Sequence, residues 1–288
     1  MRRKLAVLFI TVLLTSCSNQ QAIRNSVYPT LNDGRYDSEF PYQSSSLQLE
    51  KISNSIRLIN SIAFYKSYFF DHTRGIKIVD VPKLEVEETA SRTDLFNQNS
   101  SGTGTVIFFD DRSIALLTCA HVVNFEDTIF TFYSDASGRV TDIIESISIK
   151  MNQNNYTNLK NGELEIMAID NKLDLAIVGN YLQSGTADNP EVFNYPAGEA
   201  KELEWGSFVY VFGYPYNYKM LTRGIVSSPN RNENGEFLLD VMFHRGASGG
   251  LVLAVRDGVP NLEFVGIIKS IPATYEYNLI PDVKELEK

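Results

Sequence analysis

The chain has 288 residues, 43% of them apolar, which suffices for a sizeable core in one or two domains. Its formal net charge of −9 excludes nucleic acid as a natural partner and disfavours electrostatic adhesion to anionic lipid. With three histidines and two cysteines there is no plausible zinc set, so neither a metal nor a cofactor is expected.

At the amino terminus, basic Arg2, Arg3 and Lys4 precede an apolar run from Leu5 to Leu14 and the small residues Thr15 and Ser16. That is the pattern of an export signal, and the run is too short to span a bilayer. Leu14-Thr15-Ser16-Cys17 resembles the lipobox of bacterial lipoproteins, which implies a signal peptide over 1–16 and an acylated Cys17. The implied location is the bacterial cell envelope, with the membrane reached through the acyl group. An ordinary signal peptide with an incidental Cys17 is the weaker alternative. Residues 17–45 are polar and without periodicity, and read as a flexible tether. Cys119 is then the remaining thiol, so no intramolecular disulfide is expected, and its place on an apolar strand marks it as a small core hydrophobe.

Leu47 to Ser53 predicts a short helix, and Ser55 to Phe70, rich in Ile, Phe and Tyr, a first long strand. The polar and charged stretch 71–100, which holds His72, predicts an insertion between the first two strands. Beyond it, short apolar runs lie near 105–109, 114–119, 128–133, 139–149, 163–169, 175–178, 207–212, 221–227, 237–243, 251–255 and 262–271. Turn pairs such as Ser137-Gly138, Asn161-Gly162, Asn234-Gly235 and Asp257-Gly258 separate many of them. Many short strands without long helical stretches argue for an all-β barrel or sandwich and against alternating β-α units. Residues 180–204 have a linker's composition.

Three short islands carry complementary chemistry: Thr118-Cys119-Ala120-His121, Asp174-Leu175-Ala176-Ile177-Val178 and Gly246-Ala247-Ser248-Gly249-Gly250. A serine hydroxyl is a poor nucleophile unless a neutral imidazole removes its proton, and that imidazole needs a carboxylate to orient and stabilise it. His121 is the candidate base, Asp174 the candidate acid and Ser248 the candidate nucleophile. Singly, each has a structural reading: a strand-end His, a turn Asp, a Gly-rich loop Ser. Asp170 and Asp127 compete for the acid's role, but Asp174 opens the apolar strand directly. His244 receives no role. Ser248 also fits a Gly-x-Ser-x-Gly elbow, yet that scaffold requires a His after the Ser, and none follows here.

The order His, Asp, Ser resembles that of trypsin-like serine peptidases, nearest their HtrA/Deg-type branch. Ser101-Gly102-Thr103-Gly104 before Val106 to Phe109, Phe212-Gly213-Tyr214-Pro215, Gly224-Ile225-Val226-Ser227, Asp240 and Val265-Gly266-Ile267-Ile268 are similar to further segments of that family. The resemblance runs from about residue 48 to 282. It implies two six-stranded antiparallel β-barrels, one over 46–195 with His121 and Asp174 and one over 196–288 with Ser248, their cleft taking a polypeptide substrate. It implies oxyanion donors at Gly246 and Ser248, and a pocket floored by Met242 with Phe243 and Ile268, suited to a small or medium apolar side chain. It leaves no room for a PDZ module after the peptidase domain. Ala247 departs from the usual Asn or Asp and Leu251 from the usual Pro; without the acid, activation by a newly cut amino terminus is not expected. A binding module that keeps the barrel, and an esterase using the same three residues, remain open alternatives.

Overall fold

The computed structural model describes residues 32–110, 113–159, 162–181, 190–242 and 244–269. The proposed signal peptide over 1–16, Cys17, Phe243 and residues 270–288 lie outside the described residues. The all-β expectation holds: β1 (Ile56–Phe69), β2 (Arg92–Phe109), β3 (Ser113–Cys119), β4 (Thr128–Ser134), β5 (Val140–Thr157), β6 (Glu163–Asp170) and β7 (Leu175–Tyr181) build one sheet. β8 (Phe208–Gly213), β9 (Met220–Ser228), β10 (Leu238–Asp240), β11 (Leu251–Val255) and β12 (Leu262–Ile267) build a second.

The first sheet runs β1-β2-β3-β7-β6-β5-β4, and pairing of β1 with β5 closes six of these strands into an antiparallel barrel. β5 is long enough to serve two neighbours on one edge, β6 at Asn155 and Tyr156 and β4 between Val140 and Ile149. The barrel is filled by Ile59, Val106, Ile114, Leu116, Cys119, Val122, Leu164, Ala176 and Val178. Alternation along each strand turns the strand residues inward while Val122 enters from the helical turn after β3, and each large one contributes roughly 1.5–3 kcal/mol by leaving water.

The second sheet is ordered β10-β9-β8-β11-β12, and the sixth strand expected in this half is not among the described residues. Both its faces are buried. Phe208, Tyr210 and Phe212 of β8 pack on one side with Leu251, Leu253 and Leu262, while Val209 and Val211 pack on the other with Val226, Val252 and Val265. Continuous apolar runs at 207–212 and 251–255 are the sequence counterpart of strands covered on both faces.

Three segments differ from the sequence reading. The insertion spans only 71–91, as 3-10 turns at His72–Arg74 and Ile78–Lys83 and a short helix α2 (Val86–Thr89). Residues 92–100 are strand, paired residue for residue with β1 from Arg92 opposite Phe69 onward. Residues 92–99 are all exposed, so no apolar alternation marked them; backbone pairing with β1, helped by Phe96 stacked on Tyr65, holds them in the sheet.

Residues 32–45 are not a free tether. The Asp37 N–H donates to Val255 O at 2.8 Å, the Phe208 N–H donates to Asp37 O at 2.8 Å, and Tyr36 is buried with its hydroxyl donating to Glu263 at 2.7 Å. Helix α1 (Ser46–Ser53), expected in the first barrel, sends Leu49 and Ile52 into the core of the second sheet. Three scattered aromatics, Tyr36, Phe40 and Tyr42, in a polar stretch carry no periodic signal, which is why this packing is invisible in the sequence. The connection after β7 is likewise anchored where described, with the Phe193 N–H donating to Val106 O and the Phe264 N–H to Pro196 O, both at 2.8 Å.

Candidate active site

β3 ends at Cys119, and a single helical turn, α3 (Ala120–Val123), follows at once. Val122 and Val123 are fully buried and pin the turn, which leaves His121 on its open side with its side chain 45% exposed. Asp174 immediately precedes β7 in a left-handed backbone conformation, φ +58°, which is costly for a residue other than Gly, Asn or Asp. That conformation lets one residue make three contacts. Its carbonyl accepts from the Ala120 N–H at 3.1 Å, Oδ1 accepts from the His121 N–H at 2.9 Å, and Oδ2 lies 2.7 Å from His121 Nδ1. The carboxylate therefore grips both the backbone and the ring, and commits Nδ1 so that Nε2 is the nitrogen left for other chemistry.

The competing acids are engaged elsewhere. Asp170 Oδ1 accepts from the Lys172 and Leu173 N–H groups, each at 2.9 Å, which shapes the turn before Asp174. Asp127 pairs with Lys150 at 2.7 Å, a contact that holds its carboxyl below the usual range.

Ser248 lies in the loop between β10 and β11, half-buried. The Thr103 N–H of β2 donates to Ser248 O at 2.7 Å, and the Thr103 hydroxyl donates to Gly246 O at 2.8 Å while accepting from the Tyr214 N–H at 2.9 Å. Gly246 has φ +95°, and a Cβ there would stand 2.2 Å from Tyr214 O, so glycine is obligatory on two counts. Gly102 explains the Gly-Thr-Gly sequence: its Cβ would be 2.5 Å from Val122 and 3.0 Å from Ser248 O, so a bare backbone lets α3, β2 and the Ser248 loop meet. Among the described residues the Gly246 and Ser248 N–H groups donate to nothing. His121 and Asp174 are thus in contact and Ser248 is seated on the adjoining loop, but no hydrogen bond joins the Ser248 hydroxyl to His121.

Two departures from the family pattern have physical reasons here. Ala247 is 7% exposed among Val211, Val252 and Val265, where an acid would be buried without a partner. Leu251 is buried with Phe208 and Phe212, and makes the first residue of β11 a core residue.

The pocket residues divide. Ile268 is buried and lines a cleft of about 730 Å³ with Asp174, Leu175, Val241, Val252 and Val265. Met242 is 70% exposed and does not line it. An offset from Ser248 fixes a position in sequence, not the direction in which a side chain leaves the loop. Sequence reasoning missed the rim of this cleft, where Lys269 pairs with Glu236 at 3.3 Å beside Arg231; the Asn234-Gly235 turn marked only that a loop lay there. It also missed Tyr216, whose hydroxyl lies 2.8 Å from His244 Nδ1 with the rings 4.4 Å apart.

Cys119 sits in the barrel core as expected. Burial pushes its thiol up to about 12, and Sγ donates to Ile268 O at 3.2 Å. Although Cys119, His121 and Asp174 offer donor atoms within 4.8 Å of one another, a thiol held protonated is ill suited to ligate a metal.

A closed six-stranded antiparallel barrel with a second antiparallel sheet is the scaffold on which His121, Asp174 and Ser248 sit. The trypsin-like peptidase domain matches residues 102–267, and the chain belongs to that family. A serine protease HtrA-like protein of Staphylococcus haemolyticus is 24% identical over 235 residues, which is 73% of this chain and 32% of the relative. The chain thus spans about a third of that relative's length. Among solved structures, the HtrA-type protease AlgW with a tripeptide is 16% identical with a TM-score of 0.40, over 78% of this chain and 54% of the other. The inactive form of the Rv3671c protease of M. tuberculosis is 15% identical with a TM-score of 0.40, over 85% and 88%.

Proposed function

We propose that the chain is a lipid-anchored serine endopeptidase of the bacterial cell envelope. Ser248 attacks the scissile carbonyl of a polypeptide while His121 Nε2 takes its proton and Asp174 orients and stabilises the imidazolium. The Gly246 and Ser248 N–H groups hold the oxyanion, the imidazolium returns its proton to the departing amine, and water then hydrolyses the acyl-enzyme by the same route. The observation that carries this reading is the 2.7 Å contact between His121 Nδ1 and Asp174, braced by the second carboxylate oxygen on the His121 N–H. Labelling of the full-length chain with a fluorophosphonate, located by mass spectrometry, tests it. The adduct is expected on Ser248 and is expected to vanish in His121→Ala; labelling of Ser248 at equal rate without His121 overturns the assignment.

The missing bond between Ser248 and His121 favours a second reading, a latent enzyme or a trypsin-fold binding module, which the same experiment separates. Catalytic contacts commonly tighten only around substrate, so the absence of that hydrogen bond is compatible with activity. The buried Ala247 supports activity without a cleavage-made amino terminus. The lipobox-like Leu14-Thr15-Ser16-Cys17 supports removal of residues 1–16 and acylation of Cys17. Membrane fractionation of wild type beside Cys17→Ala tests the anchor, with the variant expected in the soluble fraction.

A further inference from the structure

A turn over Glu204–Ser207, just before β8, presents Trp205, the single tryptophan of the chain, 72% exposed. An indole, with an apolar body and one polar N–H, is rarely left this bare. The turn itself is firmly held. The Ser207 N–H donates to Glu204 O at 3.1 Å, the Ser207 hydroxyl accepts from the Glu204 N–H at 2.9 Å, the Gly206 N–H donates to Val226 O at 2.8 Å, and Leu203 and Ser207 are buried. Trp205 is therefore offered from a fixed backbone, which loses little freedom on meeting a surface. Two more exposed apolar side chains share this corner. Ile225 of β9 stands opposite Phe208 and is 42% exposed, and Phe40, 55% exposed, packs edge-on against Phe208 with ring centroids 5.3 Å apart. Arg223 lies over the Phe40 ring at 4.4 Å.

The amino-terminal segment comes in at the same corner. Arg35 pairs with Glu204 at 3.0 Å, next to Trp205 in the chain, and Asp37 O accepts from the Phe208 N–H at 2.8 Å. Residues 18–31 lie between Cys17 and the first described residue, Asn32, and span at most about 50 Å even if fully extended. A membrane held at Cys17 is thus never far from Trp205, and at such a spacing a contact too weak to hold a free protein suffices. The strands fix what docking there does to the site. β8 starts beyond the Trp205 turn and ends at Gly213, next to Tyr214, whose carbonyl abuts Gly246. β11 leaves the Ser248 loop at Leu251 and returns to Val255, whose carbonyl accepts from the Asp37 N–H. The Trp205 corner and the Ser248 loop are therefore opposite ends of the same two strands, roughly 20–25 Å apart at the rise of a β-strand.

We propose that Trp205, Phe40 and Ile225 form a docking corner for the lipid surface that carries an acylated Cys17, with the Trp205 indole entering the headgroup layer. The inference rests on the lipid-anchored reading above. Docking at this end of β8 and β11 turns the Ser248 loop toward the aqueous side. The substrates are then polypeptide stretches that stand clear of the bilayer, not bonds lying at its surface. The contact is apolar, in a chain of net charge −9, so it takes zwitterionic lipid and resists salt.

The test reads the emission of Trp205, which no second tryptophan obscures. The chain isolated from the cell envelope is placed in phosphatidylcholine vesicles, with or without bromine on the acyl chains near the headgroup. A blue shift and roughly twofold or greater quenching by the brominated lipid are expected, both unchanged by salt. Ile225→Glu keeps the reporter and puts a charge on the docking face, and is expected to lose both signals; should it melt early, Phe40→Ser replaces it. An emission equal to that of the chain without vesicles, or quenching that these variants leave intact, overturns the proposal. So does a blue shift without bromine quenching, which assigns the corner to a second copy or another protein. If mass spectrometry finds Cys17 without an acyl group, the lipoprotein reading fails by itself. The corner is then decided on the chain from Cys17 onward, which keeps every described residue, coupled through Cys17 to a maleimide lipid in the same vesicles; Cys119 is buried and does not compete. There too, bromine quenching supports the corner and its absence overturns it. The orientation has its own readout in peptides fixed to the same vesicles. A bond about ten extended residues above the lipid is expected to be cut roughly tenfold or more faster than one about two residues above it, and equal rates overturn the outward-facing site.

Discussion

The two halves of the site are held in different ways. His121 and Asp174 belong to one barrel, and three hydrogen bonds between adjacent segments lock them with no help from the second sheet. Ser248 belongs to a loop of the second half, held there by the Gly249 N–H donating to Ile268 O at 2.7 Å, and bonds from Thr103 of the barrel fasten the same loop from the other side. The His121–Asp174 pair is thus a local product of one barrel, whereas the position of Ser248, proposed as the nucleophile, depends also on the contact between halves. Damage to the first should remove chemistry at constant architecture, and damage to the second should remove chemistry by displacement.

The largest effect is expected from Asp174→Asn. It keeps the shape but loses the charge that selects the ring tautomer, so kcat on a peptide substrate should fall by roughly 10³- to 10⁴-fold. A retained melting temperature together with that loss would mark the pair as chemical rather than structural. Gly102→Ala comes next. Its methyl would meet Val122 at 2.5 Å and push α3 away from the Ser248 loop. A displacement near 1 Å should cost on the order of 100-fold in kcat, and overpacking about 1–3 kcal/mol in denaturant unfolding. Full activity in this variant would show that the halves adjust to one another freely.

Thr103→Val removes the hydroxyl that bridges Gly246 O and the Tyr214 N–H while keeping its volume. Leaving two buried groups unpaired should cost about 1–3 kcal/mol and slow fluorophosphonate labelling of Ser248 while leaving the His121–Asp174 pair intact. The smallest effect lies farthest from the site, at Asp37, which fastens the amino-terminal segment to the second sheet. Burial pushes its carboxyl up to about 6, the Gly258 N–H opposes that shift, and the charges of Glu39 and Asp257 add to it. A carboxyl with a raised folded pKa binds its proton more tightly when folded, so its contribution is fullest below the unfolded value near 4 and is lost as pH rises through about 6. Thermal melts from pH 4 to 7 should show that decline in wild type and a flatter profile in Asp37→Asn; identical profiles would detach this carboxyl from stability.

How far the sequence reaches follows the same division. The segments around His121, Asp174 and Ser248 stood out because each adjoins an apolar strand or a glycine cluster, and burial writes those flanks as short patterns. β8 and β11 were legible because strands covered on both faces need unbroken apolar runs. The 92–100 stretch of β2 was not, since it is a strand through its backbone bonds to β1 while its side chains face water. Residues 32–45 were misplaced because their hold on the second sheet depends on Asp37 backbone bonds and one buried tyrosine.

By itself the sequence determined the all-β class, the chemistry available at three positions, the apolar setting of Cys119 and the glycines whose conformations no other residue adopts easily. Only the tertiary structure decided which carboxylate grips His121, that Met242 faces solvent, and that six strands of the first sheet close into a barrel. Local patterns record what each residue must avoid, which is water or a steric clash. Pairing between distant segments is set by backbone groups that every residue carries alike, and those leave no mark in the order of side chains.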